Sequence, residues 1–253
     1  MNWNLLGLIP LAFVCEFLDS SLGMGYGTTL TPLLIILGFE PLQIVPAVLF
    51  SEFISGLLAA FLHHKHSNVN FNHDSQDTKI ALLLSIFSVV GTIIAVIIAI
   101  NIPKNILKLI ISIIVLSMGI IIILTINYKP KFSWFKITAL GTVASINKGL
   151  SGGGYGPIIM GGQMLSGIGV KNAIGITSLT EGITCLTGVI IYLILSAEIN
   201  WNLSIFLVIG AILSIPFSVY VVKKIPEKQF KIYVSMFIIT IGIYSLLKII
   251  LKL

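Results

Sequence analysis

The chain has 253 residues, 57% of them hydrophobic and only 9% charged, with a mean hydropathy of +1.08. A soluble domain carries about a quarter charged residues, so the composition excludes a water-soluble globular protein and implies one all-α, polytopic membrane domain spanning 1–253. The formal net charge of +6 comes from 15 lysines with no arginine; lysines clustered in short loops suit an anionic lipid face and topology control, and there is no nucleic-acid signature.

The chain opens on MNWNLLGLIPLAF (1–13), which lacks the basic n-region that heads a cleaved signal peptide. Residues 4–37 form an apolar run of 34 residues. As a helix rising about 1.5 Å per residue it would be about 50 Å long, against a hydrocarbon core of about 30 Å. That is too long for one comfortable span and too short for two. The run contains SLGMGYGTT (21–29), rich in a residue that forms helix poorly and permits unusual backbone angles. A break is expected there, with a short helix resuming over 28–37. Simple spans follow over 42–62, 80–100 and 104–126. A second over-long run covers 134–168 and contains LSGGGYGPI (150–158); its short helix is expected over 157–165, where Pro157 suits a first turn. Spans over 171–195, 203–222 and 229–250 complete the chain.

The two over-long runs belong to an internal duplication, with one unit over 4–126 and the other over 134–250. At an offset of 129, Gly23 meets Gly152, Gly25 meets Gly154, Tyr26 meets Tyr155 and Gly27 meets Gly156. Gly38 meets Gly167 and Glu52 meets Glu181 without a gap. VNFN (69–72) resembles INWN (199–202), and Pro103/Pro226 and Gly119/Gly242 correspond at an offset of 123. Each unit is a broken segment followed by three spans. Lysines discriminate between a broken segment that crosses once and one that dips in and returns, because short cytoplasmic loops are lysine-rich. Setting aside Lys148, a single crossing divides the lysines 7 against 7. Re-entrant segments leave only Lys104, Lys108, Lys248 and Lys252 on one side and place ten on the other. The bias favours re-entrant hairpins, an inverted repeat, and both termini outside the cell membrane.

Backbone that leaves the helix at membrane depth must be buried in protein or line a cavity. Transporters with inverted repeats use such breaks to aim helix N-termini, with their free amides and positive dipole ends, at a substrate near the midplane. Gly23, Gly25, Tyr26, Gly27 and Thr28, with Gly152, Gly153, Gly154, Tyr155 and Gly156, are therefore candidate anion-binding residues. The glycines let backbone approach a small anion, and the tyrosines supply hydroxyls. Close packing of helices is the rival role for these glycines. MGYG (24–27) resembles a potassium filter, but a filter needs four loops and fits poorly with Lys148 nearby. GLSG (149–152) resembles an intramembrane serine protease motif, but no base accompanies it and no HExxH is present, so no enzyme is read here. His63, His64, His66 and His73 are expected in one wet interfacial loop region rather than at a metal. Cys15 and Cys185 lie in apolar segments and read as buried structural thiols. No cofactor is implied, and a homodimer is left open.

Five ionisable residues fall inside apolar segments, where charges are rare and functional by default. Glu52 and Glu181 lie near the middles of their spans; Glu16, Asp19 and Lys148 precede the breaks. Asp19 and Lys148 occupy equivalent positions and could pair. Glu52, Glu181 and Asp19 are candidates for proton coupling or gating, because burial disfavours the charged carboxylate; neutral caps on broken backbone are the alternative. Lys148, the one deep basic residue, is a candidate substrate ligand, and at most one glutamate is expected to pair with it directly.

GMGYGTTLTPLL (23–34), GGGYGPIIM (152–160) and AIGITSLTEG (173–182) together resemble the TauE/SafE-type sulfite exporters, a family with a duplicated architecture. The resemblance covers nearly the whole chain. It implies transport of sulfur-containing anions such as sulfite or organosulfonates. The chain departs from the family in VPAVLFSE (45–52), which replaces a first-half Gly-Thr-Ser element, and in carrying Glu52 and Glu181. The reading is a secondary transporter of a small anion, with proton coupling through the glutamates. A channel or cation-coupled carrier using those glutamates is the alternative, and a non-transporting membrane protein is a third class.

The lysine distribution generates a topology prediction. Single cysteines introduced at Ser67 and Ser196 should react with an impermeant thiol reagent from opposite sides of the membrane. Labelling of both from one side would restore the four-crossing arrangement.

Overall fold

A computed structural model describes residues 5–23, 26–125, 134–165, 168–195 and 199–222, with scattered positions between 232 and 251. Among the described residues all regular structure is helical: a short turn Leu5–Gly7, α1 Leu8–Leu22, α2 Tyr26–Ile36, α3 Pro41–Lys65, α4 Gln76–Asn101, α5 Lys104–Thr125, α6 Trp134–Ser151, α7 Tyr155–Leu165, α8 Val170–Ile194 and α9 Trp201–Val221. Five of these segments are long and apolar enough to cross a membrane: Leu5–Leu22, Pro41–Lys65, Gln76–Asn101, Val170–Ile194 and Trp201–Val221. The chain is accordingly a multi-pass membrane protein by length and composition. Both over-long runs are interrupted at their glycines. The short helices begin at Tyr26 and Tyr155, two residues earlier than expected from 28–37 and 157–165, because each tyrosine is anchored as the first helical residue. The span expected over 229–250 lies largely outside the described residues.

Local chemistry explains the boundaries. α3 starts at Pro41, with the Gln43 side chain accepting from the Glu40 N–H at 3.4 Å. α4 is capped by Ser75, whose hydroxyl oxygen accepts from the Thr78 N–H at 3.1 Å, and α9 by Asn200, which accepts from the Leu203 N–H at 3.1 Å. α2 ends at Gly38 (φ +95°), whose N–H reaches the Ile35 carbonyl while the Phe39 N–H reaches Leu34. That is a left-handed helix stop. α4 shows why such helices suit lipid. Leu82, Ile86, Val90, Ile94 and Ile97 recur every three or four residues and are exposed, whereas Ala81, Ser85, Ser88, Gly91, Ala95 and Ala99 are buried. Large apolar side chains face outward, and small residues let neighbouring backbones approach.

Contacts between elements fix their relative directions. α3 and α8 are antiparallel: Gly56 lies against Ser178 and Gly182, and Leu49 against Gly188. α4 and α6 run parallel, with Leu84 at Gly141 and Thr92 and Ala95 at Gly149. α1 packs on α9, where Gly210 meets Ile9, Ala12 and Phe13, and both accompany α3 in its own direction. Glu16 bonds Ser55 at 3.0 Å, and the Ser20 carbonyl meets His63 at 3.1 Å. α2 runs the other way along α3, from Gly27 beside Glu52 to the short turn before Pro41. α7 likewise runs back along α8, with Gln163 bonding Thr177 at 2.9 Å. Each glycine break is therefore a reversal of the chain. The packing pairs are α4 with α6, α1 with α9, α3 with α8, α3 with α9 and α4 with α8.

At Gly56 a Cβ would lie 2.9 Å from the Ser178 carbonyl and 3.1 Å from the Gly182 nitrogen. Gly56→Val should force α3 from α8 at a cost of about 1–3 kcal/mol. Ile86→Ala, on an exposed face, should change stability by less than about 0.5 kcal/mol. Thermal unfolding in detergent reads both; equal melting temperatures for the two variants would contradict the close α3–α8 contact.

Candidate functional site at the crossing of the two breaks

Gly23 (φ +67°) and Gly152 (φ +69°) end α1 and α6 in the left-handed region that glycine enters without strain. The N–H of each returns to the carbonyl four residues earlier, Asp19 at 2.6 Å and Lys148 at 2.8 Å. This single-bond stop closes both helices in the same way. Gly154 (φ +77°) completes the second reversal, and its N–H donates to the Thr28 hydroxyl at 2.8 Å. Gly25 lies outside the described residues.

The two breaks cross in direct backbone contact. A Cβ on Gly27 would fall on the carbonyl oxygen of Gly152, and one on Gly153 would press on the Gly27–Thr28 peptide. The structure thus brings Gly27, Gly152 and Gly153 together backbone against backbone. Gly156 is buried in the first turn of α7. The tyrosine hydroxyls, expected to face a substrate, bond protein side chains in this structure. Tyr26 bonds Ser51 of α3 at 2.7 Å, and Tyr155 bonds Ser88 of α4 at 2.9 Å and also reaches Thr180 of α8. Ser51 and Thr180 stand at the same offset of 129 as the tyrosines. Both phenols are fully buried and pin the start of a short helix to a long one.

Beside the crossing lies a charge cluster. Lys148, in the last turn of α6, has no solvent exposure. Its ammonium donates to Glu181 Oε1 at 2.7 Å and forms an ion pair with Glu52. The expectation that at most one glutamate could reach it is corrected: a single ammonium bridges two carboxylates arriving from the antiparallel α3 and α8. Its ion pairs are with these glutamates rather than with Asp19, its counterpart in the duplication. Glu52 Oε1 also accepts from the Gly27 N–H at 3.3 Å, in the first turn of α2. A carboxylate therefore already occupies the helix N-terminus where a free anion was expected to bind. Cys185 Sγ donates to Glu52 Oε2 at 3.8 Å, and Cys15 is also a buried free thiol.

Carboxylate oxygens of Asp19, Glu52 and Glu181 lie within 4.8 Å of one another. Such spacing suits a cation, and the cation present is the Lys148 ammonium. Glu16 adds a fourth carboxyl, itself buried, accepting from Ser20 Oγ at 2.5 Å and Ser55 Oγ at 3.0 Å. One ammonium neutralises one carboxylate; the others need protons, water or a mobile cation. The clearest residue missed by sequence reasoning is His63. It was expected in a wet loop, yet it lies in the last turn of α3 and is fully buried, its Nε2 3.1 Å from the Ser20 carbonyl. Its counterpart Tyr192, at the offset of 129, donates to the carbonyl of Gly149, itself the counterpart of Ser20. Extending the duplication by eleven residues beyond Glu52 would have found it. His64 is half-buried, and His66 and His73 are exposed.

A family model described as sulfite exporter TauE/SafE matches residues 8–245 of this chain. The chain is also similar to the probable membrane transporter protein YtnM of Bacillus subtilis (strain 168), with 25% identity over 256 residues that cover 95% of this chain and 83% of that protein. No solved structure matches.

Removing one partner of a buried ion pair strands the other, at a cost of about 3–5 kcal/mol. Lys148→Met should therefore lower thermal stability in detergent sharply, and adding Glu52→Gln and Glu181→Gln should restore much of it. No recovery in the triple variant would show that the lysine acts on stability through something other than these carboxylates.

Proposed function

The chain belongs to the sulfite exporter TauE/SafE family of membrane transporters, and from that we propose that it is a secondary transporter of a small anion, a sulfur oxyanion or organosulfonate, coupled to protons. The observation that carries the reading is the Glu52 carboxylate, held at once by the Lys148 ammonium and the Gly27 amide at the head of α2. It occupies the place of a tethered anion. Protonation of Glu52 weakens its hold on both groups and leaves an ammonium and a helix N-terminus for a free anion. Proton uptake and anion binding then favour the same state, which is coupling by differential affinity. Glu181, from α8, also holds the ammonium, and its protonation loosens that hold in the same way. The family description supplies sulfur; the site supplies the negative charge.

In this proposal the units 4–126 and 134–250 are inverted repeats with re-entrant broken segments. The packing supports it, since α4 lies on α6 as α9 lies on α1, and α3 meets α9 as α8 meets α4. Alternating access then arises by rocking one unit against the other around the crossing. The lysine-rich face is cytoplasmic and the membrane is the cell membrane. A second reading, a cation-coupled carrier, is favoured by the Asp19, Glu52 and Glu181 oxygens, which could hold a free cation if Lys148 withdrew.

Proteoliposome flux with sulfite, methanesulfonate and simple cations under an imposed pH gradient separates the two. Anion flux driven by the gradient is expected. Glutamine cannot ionise, so Glu52→Gln or Glu181→Gln should abolish pH-driven accumulation while anion exchange persists. If both variants keep the wild-type pH dependence, the glutamates are structural caps; if only cations move, the carrier reading takes over.

A further inference from the structure

The first turns of α4 and α8 stand side by side on the face that carries Lys65 and Lys171. Asp77 Oδ2 accepts from Asn172 Nδ2 at 2.7 Å and from the Asn70 N–H at 2.9 Å. The two helices run parallel from there, since Thr92 reaches Gly188, 15 residues after Asp77 and 16 after Asn172. The Asp77–Asn172 bond therefore joins the unit 4–126 to the unit 134–250 at the mouth of the seam between these helices.

Beside that bond lies a polar cavity of about 390 Å³. Four asparagines line it, Asn68, Asn70, Asn72 and Asn172, together with His64. Asn172 comes from α8 and the others from the end of α3 and the loop after it, so both units contribute. No lysine, aspartate or glutamate is among the lining residues. Asn70 uses its side-chain oxygen to accept from the Asn72 N–H at 3.0 Å, which leaves its amide protons for a guest. Such a lining offers N–H groups to an anion without a fixed positive charge that would trap it.

Deeper in the seam the chemistry changes. Ile80 and Ile176 follow Asp77 and Asn172 by one turn, and both belong with Val69 and Leu84 to one buried apolar cluster. Val69 is shared between the two regions: it walls the cavity and packs on Gly175. Beyond the apolar layer, Ser88 of α4 bonds Tyr155 at 2.9 Å, and Tyr155 reaches Thr180 of α8. The next residue is Glu181, nine beyond Asn172 and about 13 Å along the helix. The order along the seam is thus cavity, polar bond, apolar layer, hydroxyls and charge cluster. A dry apolar constriction blocks ions by excluding water, and a hydrogen bond to a buried carboxylate at its mouth holds it closed.

We propose that the α4–α8 seam is the path by which the anion reaches Lys148 from the lysine-rich face, with the polar cavity as its vestibule and the Asp77–Asn172 bond as its gate. Opening breaks that bond and parts the apolar layer; closing restores both behind the anion. Asp77 and Asn172 are positioning residues, since they act through the seam and not on the anion held at the cluster. The gate rests on the transporter reading above.

The test uses the full chain in proteoliposomes and the impermeant thiol reagent 2-sulfonatoethyl methanethiosulfonate. The reagent is itself a sulfonate, and Cys185, a buried free thiol beside Glu52, stands at the far end of the seam. Added on the side of loop 66–75, it should modify Cys185, read by mass spectrometry, and block methanesulfonate exchange. Asp77→Cys combined with Asn172→Cys, bridged by a short bifunctional thiol reagent, should stop both the modification and the exchange, and cleaving the bridge should restore exchange. Asn172→Leu removes a hydrogen bond to a charged group and should speed modification from that side by about tenfold. Modification from the opposite side should not rise, whereas a general loosening of the fold would raise both. This variant decides the matter if the bridged one fails to fold. Unbridged rates in the bridged protein, or no faster modification in Asn172→Leu, or a rise from both sides, overturn the gate and leave the transporter reading standing. Cys185 left unmodified from that side in a wild type that exchanges methanesulfonate overturns the path. If the wild type moves neither methanesulfonate nor sulfite, the transporter reading falls and the gate falls with it.

Discussion

An ammonium ion without solvent exposure is stable only if anionic oxygens replace its water. Lys148 is in that position, and its two carboxylates come from different long helices: Glu52 from α3 and Glu181 from α8. The need to surround one charge therefore fixes three elements at once, α3, α6 and α8. A fourth is added because Glu52 also takes the Gly27 amide, which sets the start of α2. Much of the rest follows from holding this cluster in a shell of small residues and lipid-facing Ile and Leu.

The glycine breaks make the cluster reachable. Without a reversal at Gly23 and Gly152, neither α2 nor α7 could begin at the depth of the two glutamates. Without bare backbone at Gly27 and Gly153, the two reversals could not touch. Glycine here does two physically distinct jobs. Gly23, Gly152 and Gly154 adopt positive φ, whereas Gly27 and Gly153 are close-approach positions. Turning the chain and letting two backbones touch thus fall to neighbouring residues of one motif. A site closed by its own carboxylate is what a competition mechanism requires in its unloaded state.

Most helices were legible because length and polarity suffice in a membrane. The over-long runs announced their breaks, which fall at the glycines. The buried charges were legible because Glu52, Glu181, Asp19 and Lys148 interrupt otherwise apolar segments. The bridge through Lys148 was not, because a count of acids and bases cannot show that antiparallel α3 and α8 bring their mid-points together. The protein partners of the tyrosines were not legible, because Ser51 lies 25 residues from Tyr26 and Ser88 67 residues from Tyr155. His63 was misplaced because the apolar run ends at Leu62 while the helix continues to Lys65. A histidine beside three polar residues reads as loop unless its partner, the Ser20 carbonyl, is known.

The central claim is that Glu52 and a free anion compete for the same ammonium and amide. Net proton uptake on anion binding measures this most directly. Titration calorimetry of the purified protein with methanesulfonate, in buffers of different ionisation enthalpy, reports protons taken up for each anion bound. The account predicts uptake in the wild type, reduced in Glu52→Gln, with tighter binding by that variant at alkaline pH. Binding without proton uptake, at equal affinity in both proteins across pH, would contradict it.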